Sequence, residues 1–310
     1  MTSLPREALP PAGPPPDADR SQPILVASGL VKAFRRRRRL LGRDAGTPLR
    51  AVDNVSLAVH RGETLALVGE SGAGKSTTGR LVLRLIEPDA GSVHFDGVDL
   101  LSLKKEELRR TRQRMQMIFQ DPFSSLDPRY PVGESVAEPL IVHFGMRPAE
   151  RRALSAELLA RVGMGAHHLH RYPSELSGGQ LQRVAIARAL TLNPALIVCD
   201  EPVAALDVSI RAQVLNLLKE LQEELGLAYL FISHDLALVE VIADRVAVMR
   251  AGTIVEEAPT AELFGDPKHE YTRQLLAAIP RPKPGRRRAR RVTAPVDAEL
   301  HPVAGDDRRT

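Results

Sequence analysis

The octapeptide GESGAGKS, Gly69 to Ser76, constrains the fold more than any other stretch of the chain. It has the spacing G-x-x-x-x-G-K-[ST], follows the apolar run TLALV and leads into a segment of helical character. Glycines at these places let backbone N–H groups curl around phosphate oxygens, and a helix opening at the loop adds the positive end of its dipole. From average composition, the bare pattern arises by chance in roughly one chain per hundred of this length. The flanking strand and helix therefore decide the matter. The spacing predicts a phosphate cradle made of Gly69, Glu70, Ser71, Gly72, Ala73, Gly74, Lys75, Ser76 and Thr77. Within it Lys75 would reach β and γ phosphates, and Ser76 would offer a hydroxyl to Mg²⁺.

The rest of the pattern agrees with a phosphate loop on an α/β sheet. ALIVC (195–199) and AYLFIS (228–233) are continuous apolar runs of the kind buried on both faces of a parallel sheet, and a helix is predicted between them at 209–225. ILVASGLV and AVDNVSLAV (51–59) read as two further strands, joined by a loop that holds the arginine run and Gly42–Thr47. The pattern predicts helices at 75–86, 103–114, 148–162 and 177–192, and a hairpin turned at Ala251-Gly252. QDPFSSLDPRYPVGES is expected to be a Pro-rich loop inside a helical insertion from about 120 to 185. Strands alternating with helices predict an α/β fold with a parallel sheet. The Pro-rich residues 1–22 are expected to be a disordered leader, and 281–310 a basic, disordered tail.

A second chemical site is predicted 125 residues after Lys75, where ALIVCDE ends an apolar strand in Asp200 and Glu201. At the C-terminal end of a parallel strand, Asp200 could support Mg²⁺ through water. Glu201 would then face the attacking water as general base.

LSGGQ (176–180) completes the pattern. Ser177 is a natural N-cap for the helical run behind it, and Gly178 and Gly179 leave that helix N-terminus open to an anion. Lying between the phosphate loop and Asp200-Glu201, it resembles the signature motif of ATP-binding cassette proteins, and the resemblance covers roughly residues 24–280. It implies a RecA-like P-loop core, an antiparallel β subdomain near the N-terminus and an inserted helical subdomain, the cassette domain spanning 23–264. It also implies ATP and Mg²⁺ as ligands. Gln120 matches the glutamine that senses the γ-phosphate and Mg²⁺, His234 the switch histidine, and Ala205-Leu206-Asp207 the D-loop. Phe34 matches the aromatic that stacks on adenine. Ser177, Gly178, Gly179 and Gln180 would close a partner subunit's nucleotide.

FQDPFSSLDPRYPVGESVAEPL (119–140) and HEYTRQLLAAIP (269–280) further resemble the ATPase subunits of oligopeptide and dipeptide importers, with 265–280 as their C-terminal extension. This implies two transmembrane permease subunits, a second ATPase subunit of the same or a paralogous chain, and an extracytoplasmic solute-binding protein. The chain would then lie peripherally on the cytoplasmic face of the inner membrane, with the loop 119–140 as the groove for the permeases' coupling helices. Two positions depart from the pattern: Ala204 stands where the D-loop usually has serine, and Glu270 where the tail motif has proline. The rival class is a cassette ATPase acting on DNA or ribosomes. Against it, Lys75 and Ser177 are only 102 residues apart, too few for a long coiled coil, and a single P-loop is present.

Charge and composition exclude other classes. The formal charge is +5, but five arginines at 35–39 and seven basic residues at 281–291 carry it, and without those twelve the remainder holds −7. No nucleic-acid partner is expected from so acidic a body. The basic runs are expected to be solvated clusters, or to touch anionic lipid headgroups. One cysteine, Cys199, excludes an internal disulfide framework and is expected in the core. The histidines 167, 168 and 170 are expected on a solvated loop rather than on a metal.

Overall fold

The computed structural model describes residues 22–34 and 49–278. The leader, the arginine-run loop and the basic tail expected from sequence lie outside them. The chain opens with β1 (Pro23–Phe34) and β2 (Leu49–His60), which pair antiparallel, and then enters β3 (Thr64–Val68). The phosphate loop and helix α1 (Lys75–Val82) follow. β4 (Ala90–Phe95) and β5 (Val98–Asp99) return to β1, completing a four-stranded sheet in the order β2-β1-β4-β5.

Past this sheet come α2 (Lys105–Thr111), one 3₁₀ turn and β6 (Met115–Ile118). A helical layer then intervenes: α3 (Pro122–Ser125), α4 (Val132–Phe144), α5 (Pro148–Arg161) and α6 (Gly178–Leu190). The chain resumes the second sheet through β7 (Leu196–Asp200), α7 (Val208–Leu225) and β8 (Ala228–Ser233). α8 (Leu236–Ile242), β9 (Arg245–Arg250), β10 (Thr253–Pro259), α9 (Thr260–Gly265) and α10 (Glu270–Ala277) finish it. This sheet has six strands in the order β10-β9-β3-β8-β7-β6, parallel throughout except for the β9–β10 pair.

Its central strands are continuously apolar because each serves two cores. Along β3, Ala66 and Val68 join the core under the helical layer, while Leu65 and Leu67 join the core against the four-stranded sheet. β8 divides likewise, Tyr229 and Phe231 to one side and Leu230 and Ile232 to the other. Each valine, leucine, isoleucine or phenylalanine among them, fully withdrawn from water, contributes about 1.5–3 kcal/mol. A doubly covered sheet presents its strand C-termini as an open edge, and there the phosphate loop sits.

Two local expectations are corrected, and one strand forms that the sequence pattern does not predict. Helix α1 ends at Val82, four residues short of Ile86, because Arg84 takes a left-handed φ of 50° and turns the chain out. The expected Pro-rich loop gives way to α4 from Val132 onward. Pro131 stands at its N-cap, where its carbonyl accepts the Ser135 N–H and no N–H of its own is needed, while Val132, Val136 and Leu140 recur every fourth residue and bury one stripe. β4 forms at Ala90-Gly91, where turn chemistry alone is evident in the sequence, because the edge of β1 is there to pair with it. The hairpin, by contrast, turns at Ala251 (φ 47°) and Gly252 (φ 90°) as expected.

Candidate nucleotide site

The loop from Gly69 to Lys75 has its shape because two of its glycines have no room for a side chain. A Cβ on Gly74, whose φ is 106°, would lie 2.1 Å from the Ala51 carbonyl oxygen. On Gly69 it would lie 2.1 Å from that of Met249. The β9–β10 turn buttresses the loop, since Gly252 N–H donates to the Ala73 carbonyl at 3.0 Å. Gly79 lets α1 lie against the strands: a Cβ there would meet Ile232 at 2.7 Å and Val198 at 3.1 Å.

A cavity of about 770 Å³ opens over this loop. Gly69, Glu70, Ser71, Gly72, Gly74, Lys75, Ser76 and Thr77 line it, joined by Phe34, Gln120, Glu201 and His234. Ala73 is buried beneath. The Lys75 ammonium donates to the carbonyls of Gly69 (2.8 Å) and Glu70 (2.9 Å). Burial lowers the pKa of Lys75, and the carboxylates of Glu201 and Asp200 oppose that shift. The amine is thus a partly desolvated cation, well placed to pair with phosphate.

Ser76 Oγ donates to Asp200 Oδ1 at 2.7 Å, across 124 residues of sequence. Burial raises the pKa of Asp200, the Ser76 hydrogen bond and the cations Arg80 and Lys75 lower it, and Glu201 adds to the rise. A hydroxyl, a carboxylate and, nearby, the Gln120 amide are hard oxygen donors. They suit Mg²⁺, which takes one or two protein oxygens and completes its shell with water and phosphate. Among the described residues no group of three or more His, Cys, Asp or Glu side chains is placed to hold a metal.

Glu201 leaves the end of β7 with a left-handed φ of 47°, and its N–H donates to the Ile232 carbonyl at 3.0 Å. Its carboxylate is held from two sides: Gln120 Nε2 donates to Oε2 at 3.0 Å, and His234 Nδ1 lies 3.1 Å from Oε1. The segments just past β6 and β8 thus deliver one side chain each to a carboxylate that stands just past β7. A carboxylate so oriented beside Ser76, Asp200 and Lys75 can accept a proton from water near a bound phosphate chain. Phe34, the last residue of β1, is 44% exposed at the cavity wall, with Lys32 Nζ over its ring at 5.9 Å from the centre.

Ser177, Gly178, Gly179 and Gln180 do not line this cavity. Ser177 caps α6: its Oγ accepts from Gln180 N–H at 3.3 Å, and its own N–H donates to Gln180 Oε1 at 3.0 Å. Gly179 lies against α7, where a Cβ would meet Ile210 at 2.6 Å. His168 is buried rather than solvated, correcting the expectation for that loop. Its Nδ1 lies 3.0 Å from the Gly165 carbonyl and its Nε2 lies 3.4 Å from Gln180 Nε2, behind the cap. Cys199 is fully buried, and burial raises its pKa, so it is an inert core thiol.

Sequence reasoning missed Ala51, Leu236 and Leu275 on the cavity wall. Leu236 follows His234 closely and could have been inferred. Ala51 and Leu275 have no such signal, because only the packing of β2 and α10 brings them there.

The chain is similar to several known proteins. The family model described as "ABC transporter" matches residues 52–204, and that of the "Oligopeptide/dipeptide transporter, C-terminal region" matches 255–305. A Brucella ovis protein, named as a candidate peptide import ATP-binding protein, is 50% identical over 91% of this chain and 87% of its own length. The glutathione import ATP-binding protein GsiA of Pectobacterium atrosepticum is 52% identical over 94% of this chain, which spans only 46% of that relative's length. Among solved structures, an ATP-binding cassette determined as a dimer bound to ADP and Pi matches with a TM-score of 0.67 and 31% identity, covering 76% of this chain and 98% of its own. The structure of cbiO1 from Clostridium perfringens, titled as part of the ABC transporter complex cbiONQ, also matches at TM-score 0.67 and 28% identity, over 79% of this chain and 91% of that one.

Proposed function

The chain belongs to the ABC transporter family, and from that premise we propose that it is the ATP-hydrolysing subunit of a membrane importer for peptides or a related small solute. The observation that carries the proposal is the Glu201 carboxylate held between Gln120 and His234, in the same cavity as Lys75 and Ser76. Lys75 and the amides from Gly69 to Thr77 would bind the phosphates, and Phe34 the adenine. Ser76, Asp200 and Gln120 would hold Mg²⁺, which when bound neutralises charge on the phosphate oxygens. Glu201 would take the proton of the attacking water, with Gln120 and His234 holding its oxygens in place.

Ser177, Gly178, Gly179 and Gln180 do not line this chain's own cavity, and they would close the nucleotide of a second ATPase subunit. The likeness to a cassette solved as a dimer supports that arrangement. No helix among the described residues is long and apolar enough to cross a membrane, so the work would pass to two transmembrane permease subunits. A groove lined by Leu85, Phe119, Pro139 and Val142, between β6, α4 and α6, would receive their coupling helices. An extracytoplasmic solute-binding protein would deliver the solute, and the chain would sit on the cytoplasmic face of the inner membrane. The basic runs at 35–39 and 281–291 would add contact with anionic lipid. The names of the relatives, import proteins for peptides and glutathione, support this reading over action on DNA or ribosomes.

Glu201→Gln keeps the shape of the side chain and removes the base. In the assembled complex it is expected to retain ATP binding and lose about 10²–10⁴-fold in steady-state hydrolysis. Near-wild-type turnover would take Glu201 out of the mechanism.

A further inference from the structure

The C-terminal helix α10 reaches the phosphate loop. Tyr271, buried to 4% exposure, accepts a hydrogen bond on its hydroxyl from the Glu70 N–H at 3.2 Å. The Arg250 guanidinium stacks over its ring at 4.8 Å, and Arg250 immediately precedes the turn whose Gly252 braces Ala73. One turn further along α10, Leu275 lines the cavity itself. The helix start is tied down as well. His269 Nδ1 accepts from Tyr271 N–H at 3.1 Å, and the Glu256 carboxylate accepts from the Lys268 and His269 N–H groups at 2.7 and 3.0 Å.

The peptide linking Gly69 to Glu70 is therefore gripped at both ends. Its carbonyl accepts from the Lys75 ammonium, and its N–H donates to Tyr271. Gly69, at φ 148°, has no side chain to resist rotation of that peptide plane. Rotation would turn the Gly69 carbonyl away from Lys75 and leave the ammonium, which the site needs at one place, with only one of its two carbonyl partners, that of Glu70. We propose that Tyr271 is a positioning residue of the nucleotide site, holding the Gly69–Glu70 peptide so that Lys75 is preset for phosphate. The C-terminal extension is thereby part of the ATP site. This rests on the reading of the cavity as a nucleotide site.

Tyr271→Phe removes the hydroxyl and keeps the ring under Arg250. Two readouts on the full chain test the proposal: hydrogen exchange at the Glu70 amide, and equilibrium binding of a fluorescent ATP analogue. The variant is expected to lose protection at Glu70 and to bind the analogue about three- to tenfold more weakly, as for one lost hydrogen bond, with an unchanged Tm without nucleotide. Wild-type affinity in the variant, with or without lost protection, would overturn the proposal, as would unchanged protection at Glu70. A fall in Tm with unaltered affinity would make the contact merely structural. If the folded wild-type chain itself fails to bind the analogue, the reading of the cavity falls first, and the proposal with it.

Discussion

Burial raises the pKa of Asp200 even though Ser76, Arg80 and Lys75 stabilise its charge, so its ionised form is held at a cost to stability. A raised folded pKa means that the native chain binds this proton more tightly than the unfolded chain. The penalty is then complete above the folded pKa and vanishes as pH falls below the group's ordinary value. Asp200→Asn keeps an oxygen to accept from Ser76 Oγ and discards the charge. Without nucleotide at neutral pH its Tm should exceed wild type by about 2–4 °C per kcal/mol recovered. The gap should close in acid, and the Mg²⁺-dependent hydrolysis proposed above should be lost. Scanning calorimetry at two pH values beside an ATPase assay reads both. A variant less stable than wild type at neutral pH would mean that the charge on Asp200, paired with Lys75, is a net support.

At the scale of elements, the junction of α6 with α7 shows why a glycine stands in the signature segment. The sequence suggests that Gly179 keeps a helix N-terminus open, but the structure adds a packing reason, the Ile210 side chain 2.6 Å from where a Cβ would lie. Within a helix alanine is favoured over glycine by about 1 kcal/mol, so the sign of Gly179→Ala depends on its neighbour. The substitution should destabilise the chain when Ile210 is present and stabilise it in an Ile210→Ala background. A double-mutant cycle by urea unfolding measures that reversal. Additive effects would show that α6 and α7 are not in close contact there. The same junction carries Leu206, which a Gly178 Cβ would meet at 3.5 Å, so Leu206 lies beside the start of α6.

Over the whole molecule, Ser177 does not line the cavity, and the proposed function has it complete the site of a second subunit. If each nucleotide is shared, a Lys75→Ala chain and a Ser177→Arg chain are each inactive as homodimers. Mixed, they form one site carrying both defects and one with an intact loop and an intact signature. Titrating one purified variant into the other should restore part of the ATPase activity. Where the partner is a paralogous subunit, Ser177→Arg in this chain should abolish nucleotide trapping on that subunit's P-loop. Trapping lost only on this chain's own P-loop would sink the shared-site arrangement.

The phosphate loop, the Asp200-Glu201 strand end and the capped SGGQ helix start were legible in the sequence, because each depends on interactions within a few residues: a turn only glycine can make, an apolar strand ending in acid, a serine bonding the third N–H of its own helix. The two long apolar runs marked doubly covered strands for the same local reason. α4 was hidden by its prolines, and β4 had no reason to form until β1 lay beside it. The grip of Gln120 and His234 on Glu201, the burial of His168 and the reach of Tyr271 to Glu70 came only with tertiary structure. Those contacts join residues far apart in the chain, and their distances are set by how sheets and helices stack, which no local spacing encodes.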